Sequence, residues 1–86
     1  MEMGKEVNEL GNKIREANKG LYHNPYYVAS VEIVRREGVT NMMDKKGVVR
    51  ALYDFGLDSY AEYIEDLTKE EYIELLNDLK EISDIE

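Results

Sequence analysis

Apolar residues recur at intervals of three and four along most of this 86-residue chain, and no useful stretch alternates apolar with polar residues. Intervals of three and four place side chains on one face of an α-helix, whereas a half-buried strand requires an interval of two. The pattern therefore predicts an all-α fold, a compact bundle of about five short helices. A chain of this length has room for one domain, so we expect residues 1–86 to form a single helical domain.

Start and stop signals divide the helical pattern into segments. Asn24 followed by Pro25 is typical of a helix start, and Gly38 is typical of a helix end. Thr68 with Glu71 three residues later matches the capping box that opens many helices. Together with Gly20 and Gly56 as stops, these signals predict helices over residues 5–19, 25–37, 45–55, 58–66 and 69–82.

Composition excludes several kinds of site. The chain has no cysteine, so disulfides and cysteine-ligated metals are excluded, and its one histidine, His23, cannot form a histidine pair. No apolar run approaches the roughly 18 residues of a membrane span, and the N-terminal sequence lacks a secretory leader pattern. We therefore expect a cytoplasmic protein that is not an enzyme, with no metal and no cofactor.

Charge is divided unevenly along the chain. The formal net charge is −8; residues 1–50 hold nine Lys or Arg against seven acids, net +2, whereas residues 51–86 hold two against twelve, net −10. Such an acidic balance argues against unaided nucleic-acid binding and favours a protein partner with a basic surface.

The acids of the C-terminal half fall into two stripes at helical spacing, with tyrosines between them. Neighbouring side chains on such a stripe are about 5–6 Å apart at Cβ, comparable to the charge spacing of a nucleic-acid backbone. One interpretation is a solvated helix face, and a second is a partner-binding face that engages a basic surface by imitating nucleic acid. Paired catalytic carboxylates or a calcium site are a third, although the spacing of an EF-hand loop is absent. On the second interpretation the candidate contact residues are Asp58, Glu62, Glu65, Asp66, Glu70, Glu74, Asp78, Glu81, Tyr60 and Tyr63.

Basic residues form a smaller group in the first half. Direct nucleic-acid binding through them is a third hypothesis, and pairing with the chain's own acids or simple solvation is favoured over it. A helix-turn-helix around Gly56 is disfavoured because the second helix, over residues 59–66, contains no base. The bases concerned are Arg35, Arg36, Lys45, Lys46 and Arg50.

The N-terminal segment, residues 1–20, carries a narrow apolar stripe that continues to Leu21. A small core need not use this stripe, which leaves it available to pair with a second copy of the chain. The predicted homodimer contact consists of Val7, Leu10, Ile14, Ala17 and Leu21.

The connector Thr40-Asn41-Met42-Met43-Asp44 has a structural interpretation. Asn41 favours a turn, Met42 fills the core, and Asp44 caps the third helix by accepting the N–H of Gly47. A recognition loop is the alternative.

This connector also carries a resemblance. The run from Val34 to Arg50, followed by Gly56, resembles small uncharacterised bacteriophage proteins with the pattern I-R-x-x-G-x-T-N-M-x-D-x-x-x-V-x-R. The likeness covers about residues 31–76, with Val34 in place of the isoleucine. The matching residues are Arg35, Gly38, Thr40, Asn41, Met42, Asp44, Val48, Arg50 and Gly56.

The resemblance implies a phage or prophage origin and the cytoplasm of a bacterial host. Our functional hypothesis is a small acidic protein that binds a host protein with a basic surface, such as a nuclease or another nucleic-acid-binding protein. It would act as a host-takeover or anti-defence inhibitor and possess a surface that mimics nucleic acid. The alternative is a homodimeric structural or regulatory protein without mimicry.

Overall fold

A computed structural model describes residues 3–85, and within that range it confirms the all-α prediction. The chain forms five α-helices there and no strand. The helices are α1 (Met3–Ala17), α2 (Pro25–Glu37), α3 (Lys45–Asp54), α4 (Asp58–Glu65) and α5 (Lys69–Glu81).

Local capping explains why the helices begin and end where predicted. The Oδ1 of Asn24 accepts the backbone N–H of Tyr26 at 2.9 Å, which opens α2. Gly38 closes α2 at φ 65°, a left-handed conformation that glycine adopts without steric cost. The capping box of α5 is also confirmed, because Glu71 N–H donates to Thr68 Oγ1 and Thr68 N–H donates to Glu71 Oε1.

Two predicted caps are wrong. Helix α1 ends at Ala17, and Asn18 rather than Gly20 takes the left-handed conformation, at φ 56°. Asparagine tolerates this region better than other side chains because its short amide bonds locally. Asp44 stands at the N-cap position of α3 but makes no capping hydrogen bond through its side chain.

The Asp44 carboxylate instead lies against Gly47. A Cβ at Gly47 would come within 2.8 Å of Asp44 Oδ2 and would overlap Thr40 Oγ1. Gly47 therefore provides room for two polar side chains of the connector rather than a donor for a cap. The other two connector predictions are confirmed: Asn41 Oδ1 accepts the N–H of Met43 in a turn, and Met42 packs against the core.

The helices enclose one apolar core, to which all five contribute. Its fully buried members include Val7 and Ile14 of α1, Val31 of α2, Leu52 of α3 and Leu75 of α5. Burial of such side chains is the main favourable contribution to folding.

The apolar stripe of α1 belongs to this core, so the interpretation of that stripe as a free surface is wrong. Val7, Leu10 and Ile14 are buried within the chain, whereas Ala17 is exposed and Leu21 is half-buried. Helix α1 packs along α2, and a Cβ at position 11 would overlap the ring of Tyr26. The absence of a side chain at Gly11 lets the two helices approach and covers the surface on which the predicted homodimer depended.

We predict that Leu52→Ala lowers the free energy of unfolding by about 2–5 kcal/mol, because Leu52 is 0% exposed and its removal leaves a cavity. Leu76, which the helical pattern also places inward, is only half-buried, and Leu76→Ala should cost about 1 kcal/mol. Urea denaturation followed by circular dichroism measures both. Equal losses would contradict the assigned core.

Candidate functional site

Three acids of α4 form a continuous exposed stripe. Asp58, Glu62 and Glu65 follow the spacing i, i+4, i+7, and all three side chains are exposed. None of them has an ion-pair partner among residues 3–85, where the salt bridges belong to Glu32 and Asp84. Asp66, also exposed, follows the last residue of the helix. The stripe is thus open to a cation from outside the chain.

A tyrosine from α3 stands beside this stripe. Tyr53 is 41% exposed, and its hydroxyl lies 3.5 Å from Glu65 Oε1. Partial desolvation and the nearby carboxylates of Glu65, Glu62 and Asp58 raise the pKa of Tyr53. The acidic face, as we call it, consists of Tyr53, Asp58, Glu62 and Glu65.

The two tyrosines assigned to partner contact have a different environment. The Tyr63 ring stacks on Tyr27 of α2 with centroids 3.8 Å apart and planes 1° apart, and Tyr60 meets Tyr27 edge-on at 5.6 Å. Both are half-buried. Both therefore pack between α2 and α4, and their contact with a partner stays a prediction.

Tyr53 replaces them as the tyrosine of the acidic face. The helical pattern of α3 could have identified Tyr53. The apolar residues Val48 and Leu52 define the buried side of this helix, and Tyr53 does not lie on that side. The tyrosines of α4 lie toward α2 instead, which only the packing of two helices reveals.

The acidic stripe predicted on α5 is wrong at Asp78. This side chain is buried at 1% exposure, and its two oxygens accept the backbone N–H groups of Tyr22 and His23, each at 2.9 Å. Each step of four residues turns about 40° around a helix, so Asp78 lies about 80° from Glu70. Accordingly Glu70 is exposed, Glu74 is half-buried and Asp78 is buried. Asp78 is a structural anchor for the loop between α1 and α2.

Glu70 and Glu81 remain on the exposed side of α5. They lie on a different helix from the acidic face, and their contact with a partner stays a prediction. Together with Glu74 they offer a matched control for charge changes on α4.

His23 is engaged through both ring nitrogens. Nε2 lies 2.9 Å from the carbonyl oxygen of Glu71, and Nδ1 lies 2.8 Å from the Tyr63 hydroxyl. A carbonyl only accepts, so Nε2 carries a proton and donates to it, and in the neutral imidazole Nδ1 accepts from the Tyr63 hydroxyl. These bonds join the α1–α2 loop to α4 and α5.

Much of the basic group binds the chain itself. Arg35 contacts the buried carboxylate of Glu32 through Nε at 2.7 Å and Nη2 at 2.6 Å, and Arg36 Nε adds a bond of 2.9 Å. Lys45 Nζ donates to the carbonyl oxygens of Glu65 and Leu67 at the end of α4. Lys46 and Arg50 are exposed.

Residues 3–85 contain no group of three or more histidine or acidic side chains placed to hold a metal ion. In the same range no helix has the length and apolar character needed to cross a membrane. Comparisons with protein-family models, with curated proteins and with solved structures find no match.

We predict that Asp78→Ala lowers the free energy of unfolding by about 2–4 kcal/mol, because it leaves the N–H groups of Tyr22 and His23 without their charged acceptor. Asp78→Asn should lower the free energy of unfolding by less, since the amide oxygen still accepts one of the two hydrogen bonds. Glu70→Ala, an exposed control on the same helix, should change the value by less than about 0.5 kcal/mol. Urea denaturation at neutral pH gives all three values. Equal effects at positions 70 and 78 would contradict the anchor.

Glu32 makes stability depend on acid pH. Burial raises its pKa, but hydrogen bonds from Arg35 and Arg36 outweigh burial and leave the pKa below the ordinary 4.5. A carboxyl whose pKa is lower in the folded chain stabilises it above about pH 4.5, and this contribution is lost as the pH falls through the folded value.

We therefore predict that Glu32→Gln is less stable than the wild type at pH 7 and that the difference narrows as the pH falls below about 4.5. Thermal unfolding at several pH values measures it. Glu37→Gln, an exposed change in the same helix, should follow the wild-type profile. A constant difference between wild type and Glu32→Gln across this range would contradict the prediction.

Proposed function

We propose that this protein acts without catalysis, by binding through its acidic face a protein that carries a basic surface. The observation that supports the proposal is the arrangement of Asp58, Glu62 and Glu65, three exposed carboxylates without an ion-pair partner among residues 3–85, beside the exposed Tyr53.

The arrangement costs stability in the free chain. Like charges at i, i+4 on a helix are destabilising by about 0.2–0.5 kcal/mol per pair, and α4 contains no base to offset them. A cationic partner surface would relieve this repulsion. Such complementarity mainly accelerates association and sets orientation, whereas an exposed tyrosine that becomes buried against a partner is a common source of affinity at interfaces. The acidic face combines both elements.

The partner class follows from the chemistry of the face and from the resemblance. A row of carboxylates a few ångströms apart presents negative charge at a spacing comparable to that of a phosphate backbone. A groove that binds nucleic acid would accept it, so we propose a host nuclease or another nucleic-acid-binding protein. The resemblance of residues 31–76 to phage proteins supports an inhibitor of phage or prophage origin in a bacterial cytoplasm.

The homodimer alternative loses its support. It depended on a free apolar stripe on α1, and Val7, Leu10 and Ile14 are covered within the chain.

The test compares two variants with equal charge changes. The first neutralises the acidic face with Asp58→Asn, Glu62→Gln and Glu65→Gln, and the second neutralises Glu70, Glu74 and Glu81 of α5 with Gln. Each changes the formal net charge from −8 to −5. Both variants and the wild type are immobilised, and proteins captured from a bacterial lysate are identified by mass spectrometry.

We predict that the wild type and the α5 variant capture the same basic protein, and that the acidic-face variant retains at most about a tenth of it because its complementary charge is gone. Tyr53→Ala should also weaken capture, through lost buried area. If both triple variants capture equally little of the basic protein, the effect depends on net charge alone. If both capture as much as the wild type, the contact lies outside the acidic face. If the captured protein binds a nucleic-acid duplex and this chain at the same time, the chain does not occupy the nucleic-acid groove. That result would contradict mimicry.

A further inference from the structure

A second surface of different chemistry lies between the end of α2, the connector and α5. It is a groove of about 370 Å³ with an apolar floor. Met42 and Met43 of the connector form one wall, and Leu76 and Leu79 of α5 form the other. Arg35 and Lys80 flank it. None of these residues belongs to the acidic face.

The connector holds its wall in a fixed position. The Tyr72 hydroxyl donates to the carbonyl oxygen of Met42 at 2.7 Å, which ties the connector to α5. Met43 N–H donates to Asn41 Oδ1 at 2.8 Å, and Asp44 N–H donates to Asn41 O at 2.9 Å. These bonds present the Met43 side chain outward, where it is 72% exposed. A long apolar side chain is thus held in water by an ordered turn.

The α5 wall extends beyond the groove. Ile73, three residues before Leu76, shares its side of the helix and is 44% exposed. We call Ile73, Leu76, Met42 and Met43 the apolar strip; Ile73 and Met43 are exposed, and Leu76 and Met42 are half-buried. Methionine adapts its shape to different partners, a property that suits a docking surface.

Two basic residues border the strip, Lys80 from the acidic second half of the chain and Arg35 from the first half. Lys80 is one of two bases among residues 51–86, which hold twelve acids. Arg35 contacts Glu32 through Nε and Nη2, which leaves its Nη1 edge outside that contact, and its side chain is half exposed. The strip is thus bordered by Lys80, which has no ion-pair partner among residues 3–85, and by Arg35, whose charge is shared with Glu32, on a chain of net charge −8.

We propose that this groove docks a segment of a partner protein in which apolar side chains lie beside carboxylates. The apolar residues of the segment cover Met42, Met43 and Leu76, and its carboxylates meet Lys80 and Arg35. Acidic segments are repelled by most of the surface of this chain, so the two cations determine where and in which orientation such a segment binds. This inference does not depend on the acidic face.

The probe is a fluorescein-labelled helical peptide with leucines on one face and glutamates flanking that face; a matched peptide has lysines in place of the glutamates. Fluorescence anisotropy measures binding of each to the full chain. We predict that the glutamate peptide binds at least about tenfold tighter than the lysine peptide at moderate salt. Amide shifts in ¹⁵N NMR spectra should occur at Met43, Leu76 and Lys80.

Two lysine variants separate the groove from net charge. Lys80→Glu should weaken the glutamate peptide about tenfold and improve the lysine peptide, because attraction becomes repulsion. Lys69→Glu makes the same charge change at an exposed position outside the groove and should have little effect. Met43→Ser, which removes an exposed apolar side chain, should also weaken binding while leaving the helical circular dichroism unchanged.

Four results would overturn the proposal. They are equal binding of the two peptides, equal effects of the two lysine variants, amide shifts centred on Tyr53, and absence of peptide binding. If dodecanoate binds the groove and neither peptide does, the occupant is a small amphiphile rather than a protein segment.

Discussion

A buried carboxylate on α5 holds the first half of the chain against the second. Asp78 accepts the backbone N–H groups of Tyr22 and His23, two consecutive donors in the loop between α1 and α2. Buried backbone donors are costly without acceptors, and this loop has no helix of its own to supply them. Because the loop is fixed, His23 reaches Tyr63 and the carbonyl oxygen of Glu71. The loop between α1 and α2 is thus hydrogen-bonded to both α4 and α5.

The fold was predictable wherever a local signal determines the backbone. Asn24, Gly38 and Thr68 each act on groups within four residues, and each cap is confirmed. Predictions that depended on distant contacts were less successful. The apolar stripe of α1 looked free because no pattern within it reveals that Gly11 accommodates the ring of Tyr26. Asp44 has the residue type of a cap, but its carboxylate lies beside Gly47 instead.

In the candidate site, too, the features set by a single helix were predictable and those set by packing between helices were not. The α4 acids were predictable as an exposed stripe because a helix of eight residues leaves little room for rotational drift. The longer α5 carries its acids around the helix axis, and Asp78 becomes buried while Glu70 remains in water. The exchange of Tyr63 for Tyr53 as the exposed tyrosine depends on how α2, α3 and α4 pack. The groove beside Met43 was not predicted, since its walls come from segments about thirty residues apart.

The parallel stack of Tyr27 and Tyr63 gives the protein an internal optical reporter. The chain has seven tyrosines and no tryptophan, so its near-ultraviolet spectrum is dominated by phenol rings. Near-ultraviolet circular dichroism requires aromatic rings in fixed surroundings, and it vanishes when packing is lost even if helices persist. Rings 3.8 Å apart with planes 1° apart, one of them bonded to His23, provide such surroundings at the contact of α2 with α4. Loosening of tertiary packing is therefore visible without a label and separately from loss of helix.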